Sequence, residues 1–307
     1  MIGIKEIASY IPKNRVSNLS KKDLFGVDEY FITNKIGVKE KALKESNDKA
    51  SDLCVYAFDT LLQKSYIKKE NIDIVIVVTQ NPDYAIPHTS AILHKKLQLK
   101  NNCVCFDISL GCSGYVNGLA IIKSFMESYN LNNGLLFTSD QYSSIIDEYD
   151  KNTSLIFGDA ATATLLTINP RYFNIDFTFG TSGEHFDAII KKEKYLQMDG
   201  RNVFNFVMKT IPADIINLLK RSNLDKKDID CYIFHQGSKF IVDRLTKNME
   251  LPEDKVPFDI YNYGNTVSSS IPIILEKELE KGHKYILLSA FGVGLSFYNT
   301  ILKMENN

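Results

Sequence analysis

Leu61-Leu-Gln-Lys-Ser-Tyr-Ile-Lys-Lys-Glu-Asn-Ile-Asp-Ile-Val-Ile76 returns later in the chain, without a gap, as Leu218-Leu-Lys-Arg-Ser-Asn-Leu-Asp-Lys-Lys-Asp-Ile-Asp-Cys-Tyr-Ile233. A helix end, a lysine-rich turn and a β-branched strand recur in one register. A second pair, Val104-Cys-Phe-Asp-Ile108 and Val256-Pro-Phe-Asp-Ile260, stands at nearly the same offset, and each member leads into a glycine-containing turn and a helix. Two separate segments repeating at close to half of 307 residues mark a duplicated α/β unit. We read residues 1–168 and 169–307 as its two halves.

The segments between follow the same grammar. Helices are expected over Lys21–Ile36, Ala50–Ser65 and Ser90–Leu97, and strands over Ile72–Thr79, Val104–Ile108, Gly134–Ser139, Ala161–Ile168 and Phe173–Phe179. The stretch Gly183–Gly200 reads as a surface loop. Alternating strands and helices predict a largely parallel sheet. The helix after Gly111-Cys-Ser-Gly114 is apolar nearly all round as far as Met126, with Lys123 its only charge there, and is expected at the centre of the molecule.

Cys112 sits at the first turn of that helix. Unpartnered N–H groups and the positive end of the helix dipole favour a thiolate there, so Cys112 is a candidate nucleophile, although a cysteine among glycines also serves as a small buried hydrophobe. The duplication supplies its partners. Ligands gather at the carboxyl ends of strands in α/β folds. The turn matching Cys112 holds Asn265, in Tyr263-Gly-Asn-Thr-Val-Ser-Ser-Ser-Ile-Pro272, and the strand end matching Thr79-Gln80 carries His235. The three residues are expected to converge on a thiol-dependent site.

Composition bounds the alternatives. A net charge of −1 gives no global attraction to nucleic acid or anionic membrane. The N-terminus reads as a strand and lacks the basic and apolar regions of a signal peptide, and no apolar run reaches membrane-spanning length, so a cytoplasmic protein is expected. Cys54, Cys103, Cys105, Cys112 and Cys231 are an odd set without Cys-x-x-Cys pairing, and the five histidines lack ligand spacing, so neither a disulfide framework nor a metal site is predicted. The order Cys, His, Asn also occurs in papain-like hydrolases, but no Trp stands anywhere in the chain and the signature around the papain-type cysteine is missing.

Gly111-Cys-Ser-Gly114, Phe157-Gly-Asp159, Met198-x-Gly-x-x-Val-Phe204, His235-Gln236, Gly264-Asn-Thr266 with Pro272, and Ala290-Phe-Gly-x-Gly294 occur in this order across nearly the whole chain. The set resembles the β-ketoacyl-acyl carrier protein synthase III family of thiolase-like condensing enzymes. The resemblance implies two mixed sheets around buried helices in αβαβα layers, and a homodimer without cofactor or metal. It also implies that Cys112 takes an acyl group from acyl-CoA, that the backbone N–H groups of Cys112 and Val293 form an oxyanion hole, and that His235 and Asn265 stabilise the enolate left when malonyl-acyl carrier protein loses carbon dioxide.

Further roles follow from the resemblance. Phe31 and Lys35 take the places of a tryptophan and an arginine that hold the CoA nucleotide, and Phe204, Ser238, Gly292 and Gly294 fall in substrate-binding motifs. Ile86 aligns with a residue that reaches across the dimer interface and limits the acyl space. Lys209, Lys220, Arg221, Lys239, Arg244 and Lys247 are candidates for docking the acidic carrier protein beside the channel mouth. The chain departs from the family at Gly237-Ser238, where Ala-Asn is usual, and at Ala160-Ala-Thr-Ala163, which is bulkier than usual. An acyltransferase that passes its acyl group to a hydroxyl or amine is the alternative these departures suggest.

Overall fold

The computed structural model describes residues 1–305. Nine of its strands form one hydrogen-bonded order: β11 (Cys231–Phe234), β12 (Tyr285–Gly292), β13 (Ser296–Met304), β8 (Tyr172–Thr181), β1 (Gly3–Tyr10), β7 (Ala160–Thr167), β6 (Asn133–Asp140), β4 (Ile74–Val78) and β5 (Val104–Ile108). The remaining strands make two small ribbons, β2 (Arg15–Ser17) with β3 (Glu40–Ala42) and β9 (Ile189–Lys191) with β10 (Leu196–Met198). The helices are α1 (Lys22–Phe25), α2 (Ala50–Lys64), α3 (Thr89–Leu97), α4 (Gly114–Tyr129), α5 (Lys151–Ser154), α6 (Gly200–Arg221), α7 (Lys239–Asn248) and α8 (Ser270–Glu278). None of the helices is long and apolar enough to cross a membrane.

The two sides of the sheet are ordered alike. Counting outward from the middle, β1-β7-β6-β4-β5 on one side is matched by β8-β13-β12-β11 on the other. Pairings repeat as well: β4 with β6 and β11 with β12 are parallel, whereas β6 with β7 and β12 with β13 are antiparallel. The two half-sheets join where β1 pairs with β8 at Ile4 and Tyr172. Between them lie α4, packed on β4 and β6 of one half and β12 and β13 of the other, and α8, packed on β1, β7 and β11. Helices α2 and α3 cover the outer face of the first half and α6 that of the second, giving five layers.

Several expectations are corrected. The sheet is mixed rather than largely parallel, because β1 and β7, and likewise β8 and β13, pair antiparallel at the heart of each half. Val256–Ile260 forms no strand, unlike its counterpart β5. Pro257 stands where Cys105 does, and a proline cannot donate to a ladder. Lys21–Ile36 is broken into short turns, with Gly26 at φ +59° ending α1. The stretch 183–200 holds the β9–β10 ribbon, with Leu196 and Ile189 buried.

Helix α4 is buried over its first turns and emerges toward its end, where Lys123 pairs with Glu127 at 2.6 Å. Gly114 and Gly118 lie on one face, and a Cβ at either would stand 2.4 Å from Val78 Cγ1 or 2.8 Å from Leu136 Cδ1. The helix backbone therefore rests directly on β4 and β6, which draws its first turn down onto the carboxyl ends of those strands. Val116, Leu119 and Ile122 fill the middle layer, each contributing about 1.5–3 kcal/mol by burial.

Candidate active site

Cys112 lies two residues before α4, buried against the turn that follows β12. The approach is close: a Cβ on Gly292 would stand 2.6 Å from Cys112 Cβ and 2.9 Å from its Sγ. The Gly292–Gly294 turn is tied to the helix start by a short chain, in which the Ser113 and Ser296 hydroxyls are 2.8 Å apart and Ser296 Oγ donates to the Val293 carbonyl at 2.8 Å. Val293 is thereby held beside the cysteine, and its backbone N–H and that of Cys112 favour the anionic sulfur. Burial, reinforced by the charge of Asp140, nevertheless pushes the Cys112 thiol up to about 12. The thiolate expected from the helix dipole is thus overturned: desolvation of a buried anion outweighs two N–H donors. Gly292→Ala is expected to displace the sulfur and slow acylation about a hundredfold, read as the rate of acyl-adduct formation by mass.

His235 follows β11, its N–H donating to Ser289 O at 2.8 Å, and is fully enclosed. Burial alone lowers it to about 3, so the ring is neutral. Nδ1 lies 2.8 Å from Ser270 Oγ at the start of α8. The Ser270 hydroxyl has no other partner among the described residues, so its proton goes to Nδ1 and the ring proton is placed on Nε2. Asn265 stands beside it. Its backbone bonds Ile156 O and Gly158 N of the first half, and its Oδ1 accepts from Val267 N at 2.9 Å, leaving Nδ2 to face the histidine. Nδ2 and Nε2 are 3.5 Å apart, too far for a firm bond and suited to two donors aimed at one shared acceptor.

Behind the cysteine lies a network centred on Asp140, which no sequence motif marked. The Asp140 carboxylate, at the end of β6, accepts from Gln80 N at 2.8 Å and Ser268 Oγ at 2.5 Å, joining the β4 end to the Asn265 turn. Gln80 Oε1 accepts from Tyr142 at 2.7 Å, and Tyr142 packs on Phe157 with centroids 5.0 Å apart. Burial raises Asp140 to about 6. Its opposite relation to His235 sets a pH dependence. Asp140 binds its proton more readily when folded, so its contribution is present at low pH and lost as pH rises from its unfolded value of 3.8 through 6. His235 binds its proton less readily when folded, so its contribution is present above 6.5 and lost as pH falls toward 3. The two oppose each other between pH 4 and 6. Across that window Asp140→Asn should fall behind wild type by up to about 1.4 kcal/mol per unit of acidification, measured by urea denaturation; a constant gap would refute the linkage.

A cavity of about 370 Å³ leads to these groups, lined by Cys112, His235 and Asn265 and by apolar side chains that include Ile156, Met198, Val203, Phe204 and Ile241. Of the other expected substrate residues, Ser238 and Gly292 also line it. Gly294, at φ +128°, is packed behind against Ser296. Ile86 is 89% exposed and not among the lining residues. Phe31 lies under Lys151, whose Nζ is 5.2 Å from the ring, and Lys35 Nζ is 5.6 Å from the ring of Phe240.

Phe240 and Arg201, both in the lining, were not singled out from sequence; Phe240 stacks on Phe204 at 5.3 Å and has the Arg244 guanidinium 5.1 Å from its ring. Lys239, 2.8 Å from Asp243, and Lys247 flank a groove on the same helix, α7. Lys209 borders a separate hollow beside His185 and Phe297. Lys220 and Arg221 stand at the far end of α6, about 30 Å along its axis from Gly200 in the lining, and Arg221 is paired with Asp176 at 2.8 Å. They do not join the mouth.

The arrangement has known counterparts. The family model for 3-oxoacyl-[acyl-carrier-protein] synthase III matches residues 106–183, and the model for its C-terminal part matches residues 219–304. A β-ketoacyl-[acyl-carrier-protein] synthase III of Caldanaerobacter subterraneus is 31% identical over 98% of this chain and 97% of its own, and one of Streptococcus mutans is 31% identical over 98% of each. A crystal structure of a 3-oxoacyl-(acyl-carrier protein) synthase from Burkholderia xenovorans superposes with a TM-score of 0.91 at 30% identity, over 99% of this chain and 94% of the other. Motifs, fold and full-length similarity agree, and the chain belongs to the 3-oxoacyl-[acyl-carrier-protein] synthase III family of acyl-transferring condensing enzymes.

Proposed function

We propose that this protein, as a cytoplasmic homodimer, condenses an acyl-CoA primer with malonyl-acyl carrier protein to give a β-ketoacyl-acyl carrier protein and carbon dioxide. The observation that carries the reading is the pair of neutral N–H donors, His235 Nε2 and Asn265 Nδ2, set 3.5 Å apart beside a buried cysteine at the end of an apolar channel. In the first half-reaction Cys112 sulfur attacks the thioester carbonyl, the N–H groups of Cys112 and Val293 hold the oxyanion, and CoA leaves with the thiol proton. In the second, the carbon–carboxylate bond of the malonyl group breaks and its electron pair enters the enolate, whose oxygen accepts from both donors. The enolate carbon then bonds to the acyl carbon, the Cys112 sulfur departs, and one proton from solvent restores the thiol.

Supporting features lie around the mouth and at the sheet edge. Lys35, Lys239 and Arg244 ring Phe240 and Phe258, with Arg201 in the lining, a cationic collar suited to CoA phosphates and an acidic carrier. Strand β5 ends the sheet with one side of its ladder open, beside half-exposed Phe106 and Phe125 and Tyr129 at 65% exposure, a surface suited to a second copy. The test is to supply an acyl-CoA and malonyl-acyl carrier protein together and to follow carbon dioxide and free CoA. Equal release of both is expected. Acyl transfer to a hydroxyl or amine without carbon dioxide would replace this reading with the alternative acyltransferase.

A further inference from the structure

At the end of β11 remote from His235, a thiol, a carboxylate and an imidazole converge. Cys231 opens β11, Glu278 closes α8 and His283 lies in the turn before β12, and their ligand atoms are all within 4.8 Å of one another. Cys231 and Glu278 are buried, whereas His283 reaches toward solvent. Glu278 is the hub: Lys281 Nζ donates to Oε1 at 2.8 Å, and His283 Nε2 lies 2.9 Å from Oε2. The Cys231 thiol also faces this carboxylate. A thiol is a weak hydrogen-bond donor, so this placement adds little as a bond, but it supplies the sulfur of a mixed donor set.

We propose that Cys231 Sγ, Glu278 Oε2 and His283 Nε2 bind a borderline-soft divalent cation, Zn²⁺ foremost, with water as the fourth ligand. Sulfur, nitrogen and oxygen donors in this number suit four-coordinate zinc, and Lys281 can stay on Oε1 while the ion takes Oε2. The thiol must lose its proton to bind, so the ion displaces one proton. The site escaped the sequence reading because its ligands come from three elements; only Glu278 and His283 are near in sequence, at a spacing that no helical ligand pair uses. Its placement has a mechanical meaning. β11 runs from Cys231 to the residue before His235, and α8 runs from Ser270, the partner of His235 Nδ1, to Glu278. An ion at one end would clamp the same strand and helix whose other ends hold the His235–Ser270 bond.

The test uses the full chain and Co²⁺ as a spectroscopic stand-in for Zn²⁺. One equivalent should bind with a thiolate-to-cobalt charge-transfer band that Zn²⁺ displaces, and Zn²⁺ should raise the melting temperature. Cys231→Ser should abolish the band, and His283→Ala should weaken binding by more than the roughly 10–100-fold that loss of an outer partner costs. Cys103 and Cys105, which lie against each other at the sheet edge, are the competing thiols, so the double replacement by serine should leave the band intact. No band in excess Co²⁺, a band that survives Cys231→Ser, or affinity unchanged in His283→Ala would overturn the proposal.

Discussion

With Cys112 replaced by alanine, incubation with any acyl-CoA leaves the intact mass unchanged, whereas the wild-type chain gains one acyl group. Condensation in this variant should fall on the order of 10⁴-fold or more, because no other group can carry the acyl intermediate. The remaining thiols give no substitute: Cys54 is on the buried face of α2 and Cys231 opens β11, at the end remote from His235, while Cys103 and Cys105 are at the edge strand. Decarboxylation is different. Its donors, His235 and Asn265, are held by Ser270 and Val267 and owe nothing to the sulfur, so malonyl-acyl carrier protein should still release carbon dioxide from Cys112→Ala. A variant that keeps acyl transfer would show that the nucleophile is misassigned.

The mirror-image result is expected of His235→Ala. Acyl adduct should still form on Cys112, but condensation should drop about 10²–10³-fold, the usual loss when one preorganised donor is removed. The neutral state of His235 sets the second part of this expectation. A ring lowered to about 3 stays uncharged across the working range, so the wild-type rate should show no acidic limb from this residue down to pH 5. Equal losses in acylation and condensation would instead make His235 the base that draws the proton from Cys112. Single-turnover measurements, with acylation read by mass and condensation by carbon dioxide, separate the two outcomes.

Much of this site was legible because the chain repeats itself. Cys112, His235 and Asn265 are far apart in sequence; the match of Val104–Ile108 with Val256–Ile260 set the Cys112 and Asn265 turns in correspondence, and that of Leu61–Ile76 with Leu218–Ile233 brought in His235. Asp140 stands at a strand end too, yet a single aspartate after Thr138-Ser139 carries no motif, and its importance comes from which groups the fold buries beside it. The thiolate expected of Cys112 failed for the same reason: dipole and N–H donors can be read locally, desolvation cannot. Lys220 and Arg221 illustrate a third limit. Helix α6 was long enough to carry them away from the mouth, and a charge in sequence has no distance attached to it. Pro257, in contrast, was in plain view, and its effect on the ladder could have been foreseen.

That proline has a wider consequence. Because Val256–Ile260 is no strand, the second half-sheet ends at β11, whose four residues are buried, whereas the first ends at β5, whose residues are partly exposed. The loss of one strand from one repeat thus leaves the two rims of the sheet unlike, β11 buried and β5 partly exposed, so that a neighbouring copy would meet them differently.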